Sequence, residues 1–433
     1  MTGTLLAVTP ARANPIAPSS GRGLVAWALY DWANSPFTTL IITFVFPAYF
    51  AQAIVKSETH GQTLWAYAIA VSGLVIAVLS PVLGAIADAS GRRKPWLLAF
   101  TSLCIAASAL LWFARPAPSF ILPSLVLVGL ANIGFEFGVT FNNAMLPDLV
   151  PEARIGRWSG WAWGLGYAGG LAALVIGLFV FIDHPWPWLN RAQAEHVRII
   201  GPLVALWFAA FTWPLFLWTP DKPAAGLPAS AVVRQGLAAL RSTLLSLPAR
   251  GNLVRFLVAH MLYTDALVGI FIFGGIYAAG TFGMTLAEVT SFGILLNVTA
   301  GLGAFAFAWV DDWIGSRRTI LLALAGLITT AAIVVLTMDR TWFYVAGAAL
   351  GLFVGPAQAA SRSLMAHLTP KGRETEFFGL FALSGKATAF LGPALVGGVT
   401  AITANQRFGV ASLLIPLIAG AALLIRVKED SPG

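Results

Sequence analysis

The chain has 433 residues, 58% of them hydrophobic and only 10% charged, with a formal net charge of +8 and a mean hydropathy of +0.81. A soluble domain carries about 25% charged residues, so this composition excludes a soluble enzyme or binding module and implies an integral membrane protein. The basic balance does not point to nucleic acid, because Lys and Arg fall in short segments between apolar runs. A single cysteine, Cys104, rules out an intrachain disulfide and a thiolate metal site, and the five histidines are scattered without ligand spacing.

Residues 1–23 imitate a signal peptide weakly. They lack a basic first segment, and LLAV is too short for its apolar core, so they read as a retained, disordered cytoplasmic tail. The stretch 24–50 then carries Asp31 as its one charged residue. On a helix Asp31, Ser35 and Thr38 share a face, with Asn34 beside them. A carboxylate in hydrocarbon costs at least ~2.5–3.5 kcal/mol, so this face must look into protein or a water-filled cavity. Asp31 is either a brace between helices or an ion or substrate determinant, and its depth favours the second.

Further apolar runs follow at 64–87, 95–114, 120–146, 158–182 and 199–218, then at 253–279, 286–310, 319–337, 342–368, 377–402 and 408–425. Each is long enough to cross a bilayer as a helix. Between the sets lies a Pro-, Ala- and Arg-rich segment, 219–252, in which Val233, Leu237, Leu240, Leu244 and Leu247 recur at helical spacing beside Arg234 and Arg241. It reads as a basic amphipathic helix on the cytoplasmic leaflet. The organisation predicted is a tail (1–23), a six-helix bundle (24–218), the linker (219–252), a second bundle (253–426) and a cytoplasmic tail (427–433). With the N-terminus inside, the inner segments hold 18 Lys and Arg against 6 in the outer loops, which places both termini in the cytoplasm and the protein in the cell membrane.

The halves repeat. GAIADASGRRK at 84–94 ends the second run and AWVDDWIGSRR at 308–318 ends the eighth, so Asp88 and Gly91 correspond to Asp312 and Gly315. PEARIGRWSGWAWGLG opens the fifth and PKGRETEFFGLFALSG the eleventh. Parallel six-helix repeats joined by a linker are a secondary-transporter architecture. Gly84, Asp88, Gly91, Arg92 and Arg93, with Asp312 and Arg317 of the copy, form a candidate gating motif. Asp88 can accept from backbone N–H groups or an Arg, and Gly91 permits a tight turn. The basic residues also fix the loop inside by charge alone.

Within the spans, Asn132, Glu136, Thr140 and Asn143 form one polar stripe on the fourth helix. Polar seams between helices are common, but a charge exceeds what a seam needs. Counting ~1.5 Å per residue puts Asp265 of the seventh helix and Lys386 of the eleventh near midplane, where neither is tolerable alone, so the two are expected to be coupled to each other, directly or through substrate or water. Asp31, Glu136 and Arg362 share a shallower depth, which predicts a charge cluster with Asp31 ionised against Arg362, and with Glu136 as a proton carrier hydrogen-bonded by Asn132 and Thr140. Arg362 could alternatively snorkel to the interface. Gln358 joins Asn34, Asn132 and Asn143 as a candidate polar lining. Trp27, Trp96, Trp112, Trp158, Trp186, Trp188, Trp218, Trp313 and Trp342 read as interface belts, and Trp32, Trp161 and Trp163 as deeper cavity residues.

G-x-x-x-D-x-x-G-R-R-K with its degenerate copy resembles the A-motif of the major facilitator superfamily. WALYDWANSPF, FEFGVTFNNAMLPDL, RWSGWAWGLGYAGG, FGGIYAAGTFGM and GPAQAASRSLMAHLTPKGRETEFFGLFALSGKATAFLGP together resemble the autophagy-related vacuolar effluxer family, over about residues 24–425. Two departures stand out: the fourth span lacks an R-x-x-Q-G run, and the fifth has GLGYAGG without a Pro. The resemblance implies an all-α, twelve-helix fold that moves amino-acid-like solutes by alternating access, as a proton-coupled exporter. A carrier of lipid-like or drug-like amphiphiles, or a non-transporting sensor, is the alternative. The partners expected are a small-molecule substrate, protons and the lipid bilayer, for a monomer without cofactor or metal. An enzyme is not expected, since no Ser-His-Asp, His-rich or Cys constellation occurs.

Overall fold

The computed structural model describes residues 19–184 and 186–429; the expected N-terminal tail up to residue 18 and the last four residues lie outside that range. Among the described residues, twelve helices are long and apolar enough to cross a membrane. They are α1 (Gly21–Val55), α2 (Glu58–Ser90), α3 (Lys94–Phe113), α4 (Pro118–Leu149), α5 (Glu152–Ile182) and α6 (Glu195–Trp218). The second half has α7 (Gly251–Phe282), α8 (Glu288–Ile314), α9 (Ser316–Leu336), α10 (Arg340–Leu368), α11 (Glu374–Thr403) and α12 (Gln406–Ile425). Each apolar run of the sequence lies in one of these helices and overruns it by at most two residues. The fold is all-helical, in two six-helix bundles.

Local chemistry sets the helix ends. Ser57 caps α2 by accepting from His60 N, Asp339 caps α10 through Trp342 N, and Thr285 with Glu288 forms a capping box ahead of α8. Gly91 stops α2 at φ 83°, a backbone region open to glycine. Helix α1 is irregular. Thr38 and Thr39 both donate to Ser35 O, and from Phe37 to Phe44 the register widens to i→i+5, with Val45 N bonding Leu40 O.

The halves meet at the end of the molecule that carries the Gly91–Arg93 turn and the starts of α5 and α11, called here the basic end. Helix α2 crosses α11 where a Cβ on Gly84 would lie 2.3 Å from Thr375 O, and one on Gly379 would lie 2.4 Å from Ser80 O. The repeat-related crossing, α5 on α8, packs Gly160 against Ala304 and Ala308. The linker helix (Ala229–Ser246) buries Gly236, Leu240 and Thr243, and Gly236 lies against the backbone of Ala85 and Ile86 in α2. Val233, Leu237, Leu244 and Leu245 on that helix are exposed.

The crossing at Gly84 has no room for a larger side chain. Gly84→Val in a Cys104→Ala background should therefore loosen the basic end, destabilising it by about 1–3 kcal/mol. Maleimide should then modify a cysteine placed at buried Ala359 faster than in the Gly84 parent. Equal rates would show that the crossing tolerates the methyls.

Candidate functional site

Four charge assemblies join the halves. At the basic end, Asp88 accepts from the backbone N of Thr375 (3.1 Å) and of Glu376 (2.8 Å), the first turn of α11. A carboxylate at a helix N-terminus meets orphan N–H groups and the positive end of the dipole. Arg93 lies beside it, bonding Asp148 (2.5 Å), Glu374 (2.6 Å) and the Thr375 hydroxyl (2.9 Å). Burial alone would lower the Arg93 pKa, but Asp88, Asp148 and Glu374 outweigh it and hold the guanidinium above its ordinary value. Lys222, at the start of the linker, reaches Asp148 and Glu374 at 2.8 Å each. Asp221 caps α3 through the backbone N of Arg93 and Lys94.

The second repeat is built alike but not equally. Asp312 at the end of α8 accepts from Arg157 N (2.9 Å) in the first turn of α5 and pairs with its side chain (3.1 Å). Arg317, matched in sequence with Arg93, does not reach the other half. Its guanidinium donates to Leu424 O and Ile425 O, and its N–H, with that of Ser316, is capped by Glu429 as Asp221 caps α3. Arg92 is exposed, and its carbonyl accepts from Ser90. Among the described residues, the gating role expected of the Arg92 and Arg317 side chains thus has no contact across the halves behind it.

Deeper in, Arg362 of α10 is 1% exposed and does not snorkel. It bonds Asp31 of α1 (2.7 Å), Asn143 of α4 (3.0 Å), and both the hydroxyl (2.9 Å) and carbonyl (2.6 Å) of Ser159 in α5. Trp27 and Trp163 lie over the guanidinium at 5.3 and 4.9 Å. Trp27 was expected in the interface belt but is fully buried, its indole N–H on Asn142 O.

Glu136 is not part of that cluster. Its carboxylate pairs with Lys386 of α11 at 2.6 Å, with side chains 17% and 35% exposed. Two expectations are corrected here: Lys386 partners Glu136 rather than Asp265, and Glu136 does not join Asp31 and Arg362. Depth along a helix is countable from sequence, but the direction a side chain faces after packing is not. The stripe around Glu136 also divides, since Asn132 donates to Ser72 of α2 and Thr140 to the Glu136 backbone carbonyl, so neither serves the carboxylate. Gln358 accepts from Trp163 (3.1 Å) and the Tyr167 hydroxyl (2.9 Å), a polar bridge from α10 to α5. Asn34 is buried. Trp32 stacks on Trp207, and Trp161 packs on Trp158, Phe305 and Trp309, so of the three tryptophans expected deep only Trp163 meets the polar groups.

Asp265 is 2% exposed and faces Thr388 of α11, where a Cβ on Gly392 would lie 2.3 Å from Asp265 O. Sequence reading missed Asp148, Ser159, Lys222 and Glu374. Glu374 had a signal, an acidic residue in the first turn of a helix whose repeat partner also begins with Pro and Arg. Among the described residues no three His, Cys, Asp or Glu side chains gather as a metal site would require.

Two repeated six-helix bundles, fastened at one end around buried charge, define a membrane transporter of the major facilitator class. Solved structures sharing this fold include FucP, a major facilitator superfamily transporter in the outward conformation, at a TM-score of 0.75 and 14% identity, with 94% of this chain and 99% of that one covered. XylE, a proton:xylose symporter, matches at a TM-score of 0.71 and 12% identity, covering 94% and 96%. The chain belongs to the vacuole effluxer Atg22-like family, whose model matches residues 53–431. Among its relatives, the uncharacterised MFS-type transporter YxiO of Bacillus subtilis is 27% identical over 413 residues, 94% of this chain and 95% of that protein. Autophagy-related protein 22-1 of Phaeosphaeria nodorum is 26% identical over 445 residues, 86% and 77%.

A double-mutant cycle tests the pairing. Lys386→Met strands Glu136, so the Glu136→Gln, Lys386→Met double variant should lose less stability than the sum of its singles, with a coupling of about 1–3 kcal/mol. The Asp265→Asn, Lys386→Met cycle should be additive within about 0.5 kcal/mol. Thermal melting of the purified variants reads both, and the reverse pattern would restore Asp265 as the partner of Lys386.

Proposed function

We propose that the chain is a secondary transporter that exports amino-acid-like zwitterions in exchange for protons. The observation that carries this reading is the Glu136–Lys386 pair, which joins α4 to α11 and stays partly exposed. A zwitterion replaces both partners at once: its ammonium takes Glu136 and its carboxylate takes Lys386, each by a charge-assisted hydrogen bond. An uncharged sugar or an apolar amphiphile would leave both charges uncompensated. Glu136 can hold the substrate ammonium or a proton but not both, and a carrier loaded by one or the other exchanges them. Trp163, Tyr167 and Gln358 supply a neutral polar surface nearby.

Opening to the basic end means breaking the Asp88, Arg93, Asp312 and Arg362 contacts, all of which cross the halves. The family's description as vacuole effluxers supports release of solute from a compartment, and export from the cell is part of this proposal. The count of 18 Lys and Arg against 6 supports a cytoplasmic basic end and cytoplasmic termini, in the cell membrane.

Proteoliposomes loaded with single labelled solutes, with and without an imposed pH gradient, test the reading. A zwitterionic amino acid should accumulate against its gradient when protons flow the opposite way. Glu136→Gln should abolish this drive and raise the KM of residual exchange tenfold or more, a loss of about 1.5–3 kcal/mol for a hydrogen bond to a charged group. Undiminished pH-driven accumulation in Glu136→Gln would remove Glu136 from coupling, and uptake of neutral sugars alone would reject the substrate class.

Topology has its own test. A cysteine at position 241 in a Cys104→Ala background should resist an impermeant thiol reagent in intact cells and react after permeabilisation. Labelling in intact cells would invert the orientation.

A further inference from the structure

The least satisfied charge in the described protein is Asp265. It is 2% exposed, and neither carboxylate oxygen has a hydrogen-bond partner among the described residues. The Thr388 hydroxyl faces it without closing a bond and is itself buried and unpartnered. Lys386, two residues earlier, is committed to Glu136. An isolated carboxylate removed from water is strongly unfavourable, so some positive charge belongs with it.

The backbone beside Asp265 suits that charge. Helix α11 is interrupted: one α-helical piece runs Glu374–Lys386, a second Leu391–Thr403, with turns between. Pro393 has no N–H to return to Ala389 O, and across the break the bonds shorten in register, Ala389 N to Lys386 O (3.4 Å) and Leu391 N to Thr388 O (2.7 Å). The first piece ends with its carbonyls, the negative pole of its dipole, directed at the break. Helix α7 packs backbone to backbone here, as the Gly392 contact with Asp265 O requires.

We propose that Asp265, Thr388 and the carbonyls freed at the break of α11 form a binding site for a single dehydrated sodium ion. The donors are hard oxygens bearing one full negative charge, which a monovalent cation neutralises and a divalent one would overcompensate. A proton would neutralise the carboxylate but occupy one acceptor, leaving the other oxygens of the cluster unmet. The site lies wholly within the second bundle, on α7 and α11, apart from the Glu136–Lys386 pair. Filling it fixes the stretch of α11 that follows Lys386, so the ion sets how Lys386 is aimed at Glu136. Binding itself does not depend on the exchange reading above.

The test uses the purified full-length protein in detergent at fixed pH and ionic strength, with sodium chloride replacing choline chloride. Melting temperature should rise saturably with sodium, and radiolabelled sodium should bind at a single saturable site. Asp265→Asn should abolish both effects, and Thr388→Val should weaken sodium binding tenfold or more, while Asp183→Asn, at an exposed position, should respond like the parent. Identical melting in sodium and choline overturns the proposal, as does sodium binding retained in Asp265→Asn. With the titration repeated at several pH values, stabilisation that follows pH and ignores sodium assigns the site to a proton and overturns the proposal equally. Should Asp265→Asn not fold, unchanged sodium affinity in Thr388→Val overturns it alone.

Discussion

The burial of one guanidinium organises this molecule. Arg362 comes from the second bundle, yet Asp31, Asn143 and Ser159, the partners that satisfy it, belong to three helices of the first. A charge taken out of water to 1% exposure is tolerable only while its partners stay in place, and stranding one member of such a pair costs about 3–5 kcal/mol. Tryptophans 27 and 163 complete the enclosure on the faces of the guanidinium. The first and second bundles are therefore not free to part locally at Arg362. A set whose members are satisfied only together is a fastening of all-or-none rather than graded character.

The same all-or-none character recurs nearer the basic end. Asp88 of one bundle sits on the first turn of α11 in the other, and Asp312 repays the relation on the first turn of α5. Helix N-termini are anion sites by construction, so a single Asp at each helix end suffices to dock a helix of the opposite bundle. The small residues at both crossings bring backbones close enough for this geometry. Asymmetry enters through the charges around the two docked helices. Arg93 reaches across to Glu374, whereas Arg317 turns back to the carbonyls ending α12, so one docking is reinforced by a charge network and the other is not.

The fold was legible in the sequence because a bilayer demands it. Backbone groups in hydrocarbon must be satisfied within the helix, so long apolar runs have one outcome, and all twelve appear. The Asp31–Arg362 pair was legible too, since both depth and charge pointed to it. Azimuth was the missing coordinate. Lys386 and Asp265 share a depth, yet α11 turns Lys386 toward α4 and leaves Thr388 facing α7. Asn132 and Thr140 share a helical face with Glu136 and still bond elsewhere, because Ser72 and a carbonyl four residues back lie closer to hand. Trp27 misled for a related reason: tryptophan near a helix end suits a lipid interface, and only the arrival of a cation from another bundle makes it an interior residue.

Lys222 gives the linker a thermodynamic role. The two bundles are one chain, so their association is intramolecular, and its strength scales with the effective concentration that the tether imposes. Asp221 and Lys222 are pinned at the first turn of α3 and on Asp148 and Glu374, and the linker helix is packed on α2. The span left to wander is thus far shorter than the sequence between α6 and α7. Closure of the basic end begins from bundles already held within reach of one another, and the entropy lost on engaging is correspondingly small.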